Sequence, residues 1–465
     1  MKKKFLICLF SAVLSLSILS SCNEKNTNDN SSIENSIHNT LVCAIPDLAN
    51  VSDDTIDEFN KLLQDKGCDF KLALEKIDLE NYADELKKTD CDIAYTGFIG
   101  ENNENYPLEL IKEGYFECLD DYITKADWYK NIPDKMWNAI KYENKVYTIP
   151  NESQVPQGIN IVFNLNKVSK EQIDKFNGNI LDLTEIINEP NSIIYGIPSL
   201  YFSNALGYAY NNGVVVSLDN KKAYNPYENK EIVNYLKSIN KVYKKGIMMD
   251  AEKLNGLNQK ADEDGKKHVQ WSACITSTLS YVDDKDIDPY IYPISQAIIE
   301  TNYACTMGIT SKSSKKEDAF KLLSLLHTDN DLGNLLIYGK GYQDIDGKPY
   351  DENGIPLTNF NNKLIFGISQ NILKTDDGID LQFKSAEEYN EYYNKQVIES
   401  PTLDLNPKGN ISSIIRIEET HDILKSNDIN KDLQTVKKEL KKAGIDEVLT
   451  DVNRQLDEFY KQKNK

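Results

Sequence analysis

Leu41-Val-Cys-Ala-Ile45, Phe70-Lys-Leu-Ala-Leu74 and Cys91-Asp-Ile-Ala-Tyr95 are three short apolar runs, each of a length that suits one buried strand. Between the first two, Ile56, Phe59, Leu62 and Leu63 share a helical face behind Ser52 and Asp54, either of which can cap a helix. Residues 80–88 read as a second helix. Strand, helix, strand, helix, strand implies a mainly parallel sheet with helices on its faces, an α/β architecture. In such sheets ligands bind beyond the carboxyl ends of the strands. Tyr95-Thr96-Gly97 therefore sits at a candidate binding edge.

Further along, residues 159–164, 214–217, 265–274 and 301–309 have strand character, and 233–244 reads as a helix. A helix over 316–327 places Ala319, Leu322, Leu323 and Leu326 on one face. The tail reads as two helices broken at Gly444. In the second, Ile445, Val448, Leu449, Val452, Leu456 and Phe459 form an apolar stripe that faces a core. Asp344-Ile-Asp-Gly-Lys-Pro-Tyr-Asp-Glu-Asn-Gly354 glances at a calcium loop, but its glycine falls too early for an EF-hand. A polar hairpin is the better reading.

The chain opens with Lys2-Lys3-Lys4, an apolar stretch from Phe5 to Leu19, and then Ser20-Ser21-Cys22. A positive start, a short apolar run and small residues before a cleavage point make a secretory signal, too short for a membrane span. Cysteine after two small residues is similar to the lipobox of bacterial lipoproteins, which implies cleavage after residue 21 and acylation of Cys22. An ordinary signal peptide with an incidental cysteine is the alternative. Residues 22–40 are nearly all polar, the composition of a flexible tether. The expected product is anchored by lipid on the extracytoplasmic face of the cell membrane.

Net charge is -20, and cleavage after residue 21 would remove three lysines and no acid, leaving -23. That argues against nucleic-acid partners, whose phosphates need clustered cations. Of eight cysteines, Cys8 leaves with the signal and Cys22 takes lipid. The remaining Cys43, Cys68, Cys91, Cys118, Cys274 and Cys305 form no C-x-x-C and no metal spacing with histidine. Cys43 and Cys91 lie inside apolar strands, which favours buried thiols, while an even count outside the cell leaves disulfides open. Neither a metal nor a cofactor is called for. No G-x-S-x-G, H-E-x-x-H, Walker loop or dinucleotide fingerprint occurs.

Several segments together resemble the extracellular solute-binding lipoproteins of ABC importers, the large family that captures sugars and oligosaccharides. They are Cys91-Asp-Ile-Ala-Tyr-Thr-Gly97, Lys112-Glu-Gly-Tyr-Phe-Glu-Cys-Leu-Asp-Asp-Tyr122 and Met136-Trp-Asn-Ala-Ile-Lys-Tyr-Glu-Asn-Lys-Val-Tyr-Thr-Ile-Pro-Asn151. Met307-Gly-Ile-Thr-Ser-Lys-Ser-Ser-Lys-Lys-Glu-Asp-Ala-Phe-Lys-Leu-Leu323 and Leu440-Lys-Lys-Ala-Gly-Ile-Asp-Glu-Val-Leu449 complete the set, the last resembling a Gram-positive branch. The resemblance is weak between 167 and 260. It implies a periplasmic-binding-protein-like type II fold, two α/β lobes joined by two or three crossings. The first lobe would run 41–155, the second 159–299 and the return to the first 301–332. Residues 333–465 would then complete mainly the second.

A monomer that captures a small molecule by lobe closure and presents it to permease subunits is what the resemblance implies. Sugar sites pair stacking aromatics with bidentate polar groups. Position near the implied cleft selects Tyr95, Thr96, Glu152, Tyr201, Trp271 and Tyr338 as ligand-binding candidates; Trp128 and Trp137 read as core. Thiaminases resemble the same architecture, but the stretch corresponding to their nucleophile reads Asn151-Glu-Ser-Gln-Val-Pro156, with no thiol. Non-transport surface duties, and peptides or other polar metabolites as ligands, remain rival readings.

Overall fold

The computed structural model describes residues 39–98, 106–152, 158–197, 199–211, 213–266, 269–276, 288–300, 303–357, 359–368, 391, 394–395, 397–400 and 409–463. Cys22 and the tether up to residue 38 lie outside them. The strand Thr40–Pro46 is flanked in parallel by Lys71–Ile77 and Ile93–Tyr95. Met307–Ile309 returns antiparallel beside Ile93–Tyr95, closing a sheet of four strands among the described residues. Leu41, Ala44 and Ile45 have no solvent exposure, the burial expected where both faces of a parallel strand are covered.

The helix Asp53–Asp65 starts at Ser52, whose hydroxyl accepts from Thr55 N at 3.2 Å. Asp53 and Asp54 lie in the first turn, where the helix dipole favours negative charge. Phe59 and Leu63 are its fully buried face. The expected helix over 80–88 is instead a 3-10 turn, Leu79–Asn81, running into the short helix Tyr82–Leu86. The strand expected over 301–309 is only Met307–Ile309, because Cys305 adopts φ +57° and breaks the extended path.

The second sheet has the order Pro289–Pro293, Asn160–Asn164, Ala273–Thr276, Ile193–Tyr195, Met248–Asp250. Asn160–Asn164 is antiparallel to both its neighbours and the other pairings are parallel. One face builds a core with the helix Lys230–Lys244 and the C-terminal helices. The other buries Val162, Ile194, Met249, Trp271 and Cys274 against Leu254 and Leu257 of the helix Ala251–Glu263. In the tail, Gly444 takes φ +92° between Ile429–Ala443 and Ile445–Lys463, and Ile445, Val448, Val452 and Leu456 are buried as the stripe implied. The hairpin Gln343–Ile345 with Lys348–Tyr350 turns at Asp346 (φ +55°) and Gly347 (φ +84°), the geometry of a type I′ turn. Asp351 accepts from Asn353 N at 2.9 Å and from Ile355 N at 2.8 Å within the loop that follows.

Among the described residues the chain changes between the two cores three times. The chain leaves the first after Glu152 and enters the second at Gly158-Ile159. It returns through Ala297–Glu300, and Val397–Ser400 pairs with that strand in parallel, Ala297 opposite Val397. Gly158 lies against this ribbon so closely that a Cβ would sit 3.1 Å from Ala297 Cα. Of the stretch expected to complete mainly the second lobe, the helices Asn330–Tyr338 and Phe360–Phe366 lie with the first. They pack into the first core through Leu332, Leu336, Ile337, Ile365 and Phe366. Asn362 pins them there, accepting from Asn50 N at 2.9 Å and donating to Asn50 O at 3.1 Å. The second lobe resumes with Ile411–Thr420.

The six cysteines of the folded body are all free, five of them buried and Cys118 half-buried. Burial, with Cys91 nearby, pushes the Cys43 thiol up, and burial alone takes Cys274 to about 12. Protein expressed from Leu41 should therefore show one readily accessible thiol when folded and six when denatured. Dithiothreitol should leave its Tm unchanged; a drop of several degrees would show disulfides instead.

Candidate functional site

The ends of the strands locate the cleft. In the second lobe Asn160 pairs with Thr276 and with Pro293, so the chain enters at the carboxyl ends of Ala273–Thr276, Ile193–Tyr195 and Met248–Asp250. In the first, Ile149 bridges to Met307, which lies opposite Tyr95 at the carboxyl end of Ile93–Tyr95. The passages thus join both sheets at the end where ligands bind in folds of this kind.

Burial separates the six candidates. Tyr95 has no exposure; its ring packs edge-on to Tyr82 at 6.0 Å and Phe98 at 5.4 Å, and burial drives its phenol well above the usual range. Thr96 is also internal, donating to Tyr303 O at 2.8 Å and accepting from Thr306 N at 3.1 Å, so it ties down the returning chain. Gly97, at φ +96°, bends the backbone, and half-buried Phe98 is the aromatic left beyond the bend. The strand end was located correctly, but the side chains there turn inward.

Glu152 is fully buried inside the first lobe, its Oε1 3.8 Å from His327 Nδ1. The His327 ring stacks on Trp128 at 4.5 Å and 5°. Both Trp128 and Trp137 are core, as expected. Trp271 is buried between the second sheet and Ala251–Glu263, away from the cleft end. Tyr338 is buried in the first lobe, with Tyr342 at 5.8 Å and Lys363 Nζ over its ring at 5.7 Å. These five side chains are all buried within their lobes.

Tyr201 is different. It lies in the 3-10 turn Ser199–Leu206 just beyond the carboxyl end of Ile193–Tyr195, half-buried at the edge of the second core. Behind it stands Tyr210, with ring centroids 5.0 Å apart. Tyr210 Oη donates to Glu418 Oε2 at 2.8 Å. Burial, reinforced by Glu419, pushes the Glu418 carboxyl up to about 8 against the pull of Tyr210. Sequence reasoning did not find Tyr210 or Glu418, since 208 positions separate them and an acid within an amphipathic helix reads as surface.

A raised carboxyl pKa means that the folded state keeps a proton the unfolded chain releases. The stability attached to Glu418 is therefore full below pH 4.5 and declines as pH rises toward about 8. Glu418→Gln should gain in Tm over the parent as pH is raised from 4.5 to 8. A Tm difference that stays level across that window would show that Glu418 ionises freely.

The fold is that of the solute-binding proteins of ABC importers. The chain is similar to an N-glycan transport solute-binding protein from Streptococcus pneumoniae, with TM-score 0.59, 18% identity, and coverage of 91% of this chain and 100% of that one. A complex of that protein with Man1GlcNAc gives TM-score 0.51 and 20% identity over 91% and 99%. An extracellular solute-binding protein from Bifidobacterium longum subsp. infantis gives 0.51 and 14% over 90% and 98%. By sequence, a carbohydrate ABC transporter substrate-binding protein of Streptococcus pneumoniae serotype 4 is 25% identical over 461 residues, 88% of this chain and 89% of the relative. Residues 417–461 match a domain of unknown function, DUF3502.

Proposed function

We infer that this chain is a solute-binding protein of an ABC importer and that it captures a carbohydrate between two closing lobes. The observation that carries the reading is the hinge: two separate cores joined by three passages at the carboxyl ends of both sheets. A ligand bridging both lobes when closed, and touching one when open, stabilises closure by that difference alone. The permease then distinguishes closed from open. The protein is a carrier and not an enzyme; its work is done by binding energy, with no covalent step.

It acts on the extracytoplasmic side. Among the described residues no helix is long and apolar enough to cross a membrane. The run from Lys2 to Cys22 supports lipid anchoring through Cys22, with the polar residues 23–38 as the tether. The protein acts as a monomer that docks with permease subunits. Tyr201 supplies the stacking surface of the second lobe.

The test is a thermal-shift panel of oligosaccharides including Man1GlcNAc, monosaccharides and peptides on protein starting at Leu41. Ligand at about a hundred times its Kd adds roughly 2.7 kcal/mol, about 3 °C in a chain of this length. A saturable shift with a glycan, accompanied by a smaller radius of gyration in X-ray scattering, is expected. A shift with peptides alone would overturn the carbohydrate reading.

A further inference from the structure

We propose that Glu418 is a positioning residue for the ligand-facing ring of Tyr201, acting through Tyr210. The inference rests on the reading of Tyr201 as a ligand-contacting aromatic and extends it to a helix that the ligand does not touch. Three observations support it independently of any titration.

The first is the unbroken line of contacts. The Tyr201 and Tyr210 rings lie 5.0 Å apart at 47°, and Tyr210 Oη donates to Glu418 Oε2 at 2.8 Å. A phenol held at its hydroxyl cannot change χ1 without losing that bond, so the wall behind Tyr201 is fixed.

The second is the cost of the arrangement. Glu418 Oε1 is shut off from solvent and has no hydrogen-bond partner among the described residues. A well-packed apolar residue would avoid that penalty. Locally unfavourable groups of this kind concentrate where a protein needs a particular geometry.

The third is how closely the helix meets the sheet. Gly213, at φ +87°, turns the hairpin Tyr208–Asn211 to Val214–Ser217, and a Cβ there would lie 2.3 Å from Ile414 Cγ2. The helix Ile411–Thr420 therefore seats directly on the turn, one helical turn from Glu418. Among the described residues it is the first helix after Val397–Ser400.

The groups around the carboxyl are Tyr210 and Tyr227, Glu419 on its own helix, and Asp422 just beyond it. His421 is engaged with Glu439 at 3.0 Å.

The experiment uses Man1GlcNAc as probe, with a ligand-free readout beside it. Isothermal titration would compare the parent with Tyr201→Ala, Tyr210→Phe, Glu418→Leu, Glu418→Gln and the Tyr210→Phe/Glu418→Leu double variant, each verified as folded by its melting curve. Loss of one net hydrogen bond to a charged or polarised acceptor corresponds to about tenfold in Kd. Tyr210→Phe and Glu418→Leu should each weaken binding about tenfold, the double variant no further, and Glu418→Gln should stay within about twofold because its amide oxygen still accepts. In ring-labelled protein without ligand, the Tyr201 resonance should titrate near pH 8 in the parent and not in Glu418→Gln. It should shift in Tyr210→Phe. Parent-like binding by Tyr201→Ala would sink the ligand reading of that residue. Loss in Tyr201→Ala with parent-like Kd in both Tyr210→Phe and Glu418→Leu would overturn the positioning role. If the probe does not bind at all, a Tyr201 resonance indifferent to Tyr210→Phe and to pH overturns it equally.

Discussion

Asp92→Ala should destabilise the first lobe by about 3 kcal/mol, from buried donors left without acceptors at roughly 1–3 kcal/mol each. Asp92 is 6% exposed and works as a three-way pin. Its Oδ2 accepts from Val42 N at 3.0 Å and from Lys315 Nζ at 3.1 Å, and its Oδ1 from Ser313 Oγ at 2.7 Å. Through these bonds it holds together the central strand, the strand leading to the cleft and the start of Lys316–Thr328. Lys315 is about a third exposed and can regain water, so the cost falls mainly on Val42 N–H and the Ser313 hydroxyl. Asp92→Asn keeps one acceptor and should lose about half as much. Urea unfolding measures both; a loss below about 1 kcal/mol for the alanine variant would show that water replaces the carboxylate.

Trp137→Ala should cost about 3–5 kcal/mol, the range for emptying a large aromatic site in a packed core. Trp137 is 1% exposed, lies 4.8 Å from Tyr129 and 6.2 Å from Trp128, and donates through Nε1 to Tyr129 O at 3.2 Å. Its short helix, Asp134–Ala139, also grips the hinge ribbon. Lys135 donates to Asn394 O at 2.9 Å and to Val397 O, and Asn138 Nδ2 lies 3.3 Å from Glu399 Oε1. The cavity should therefore weaken ligand binding as well, because the hinge ribbon loses its anchor. A variant that loses stability with unchanged Kd would separate the core from the hinge and refute that coupling.

Both residues stand on ground the sequence made legible in part. The apolar run at Leu41, the Ser52 cap, the break at Gly444 and the Asp346-Gly347 hairpin all depend on neighbours a few positions away, and periodicity or cap chemistry reveals them. The strands Ile193–Tyr195 and Met248–Asp250 escaped notice because three residues are too few to display a period. The same limit hid the left-handed Cys305, whose conformation no side-chain pattern announces.

The site divides along the same line. Sequence order sufficed to put Tyr95, Thr96 and Glu152 at strand ends and passages, yet not to say which way they face. Tyr95 goes to the core and Glu152 to His327 because close packing claims the largest apolar and partnered groups first. Tyr201 keeps its exposure because Tyr210, braced by Glu418, already fills the space behind it. By itself the sequence determined the α/β architecture, the helix break at Gly444 and the buried tail stripe, all products of short-range rules. Only the tertiary structure decided the return of 333–368 to the first lobe, the pairing of Ala297 with Val397 and the Tyr201–Tyr210–Glu418 line. Apart from the Tyr201–Tyr210 contact, those depend on surfaces that meet across a hundred or more residues, where complementarity of shape and polarity leaves no local trace.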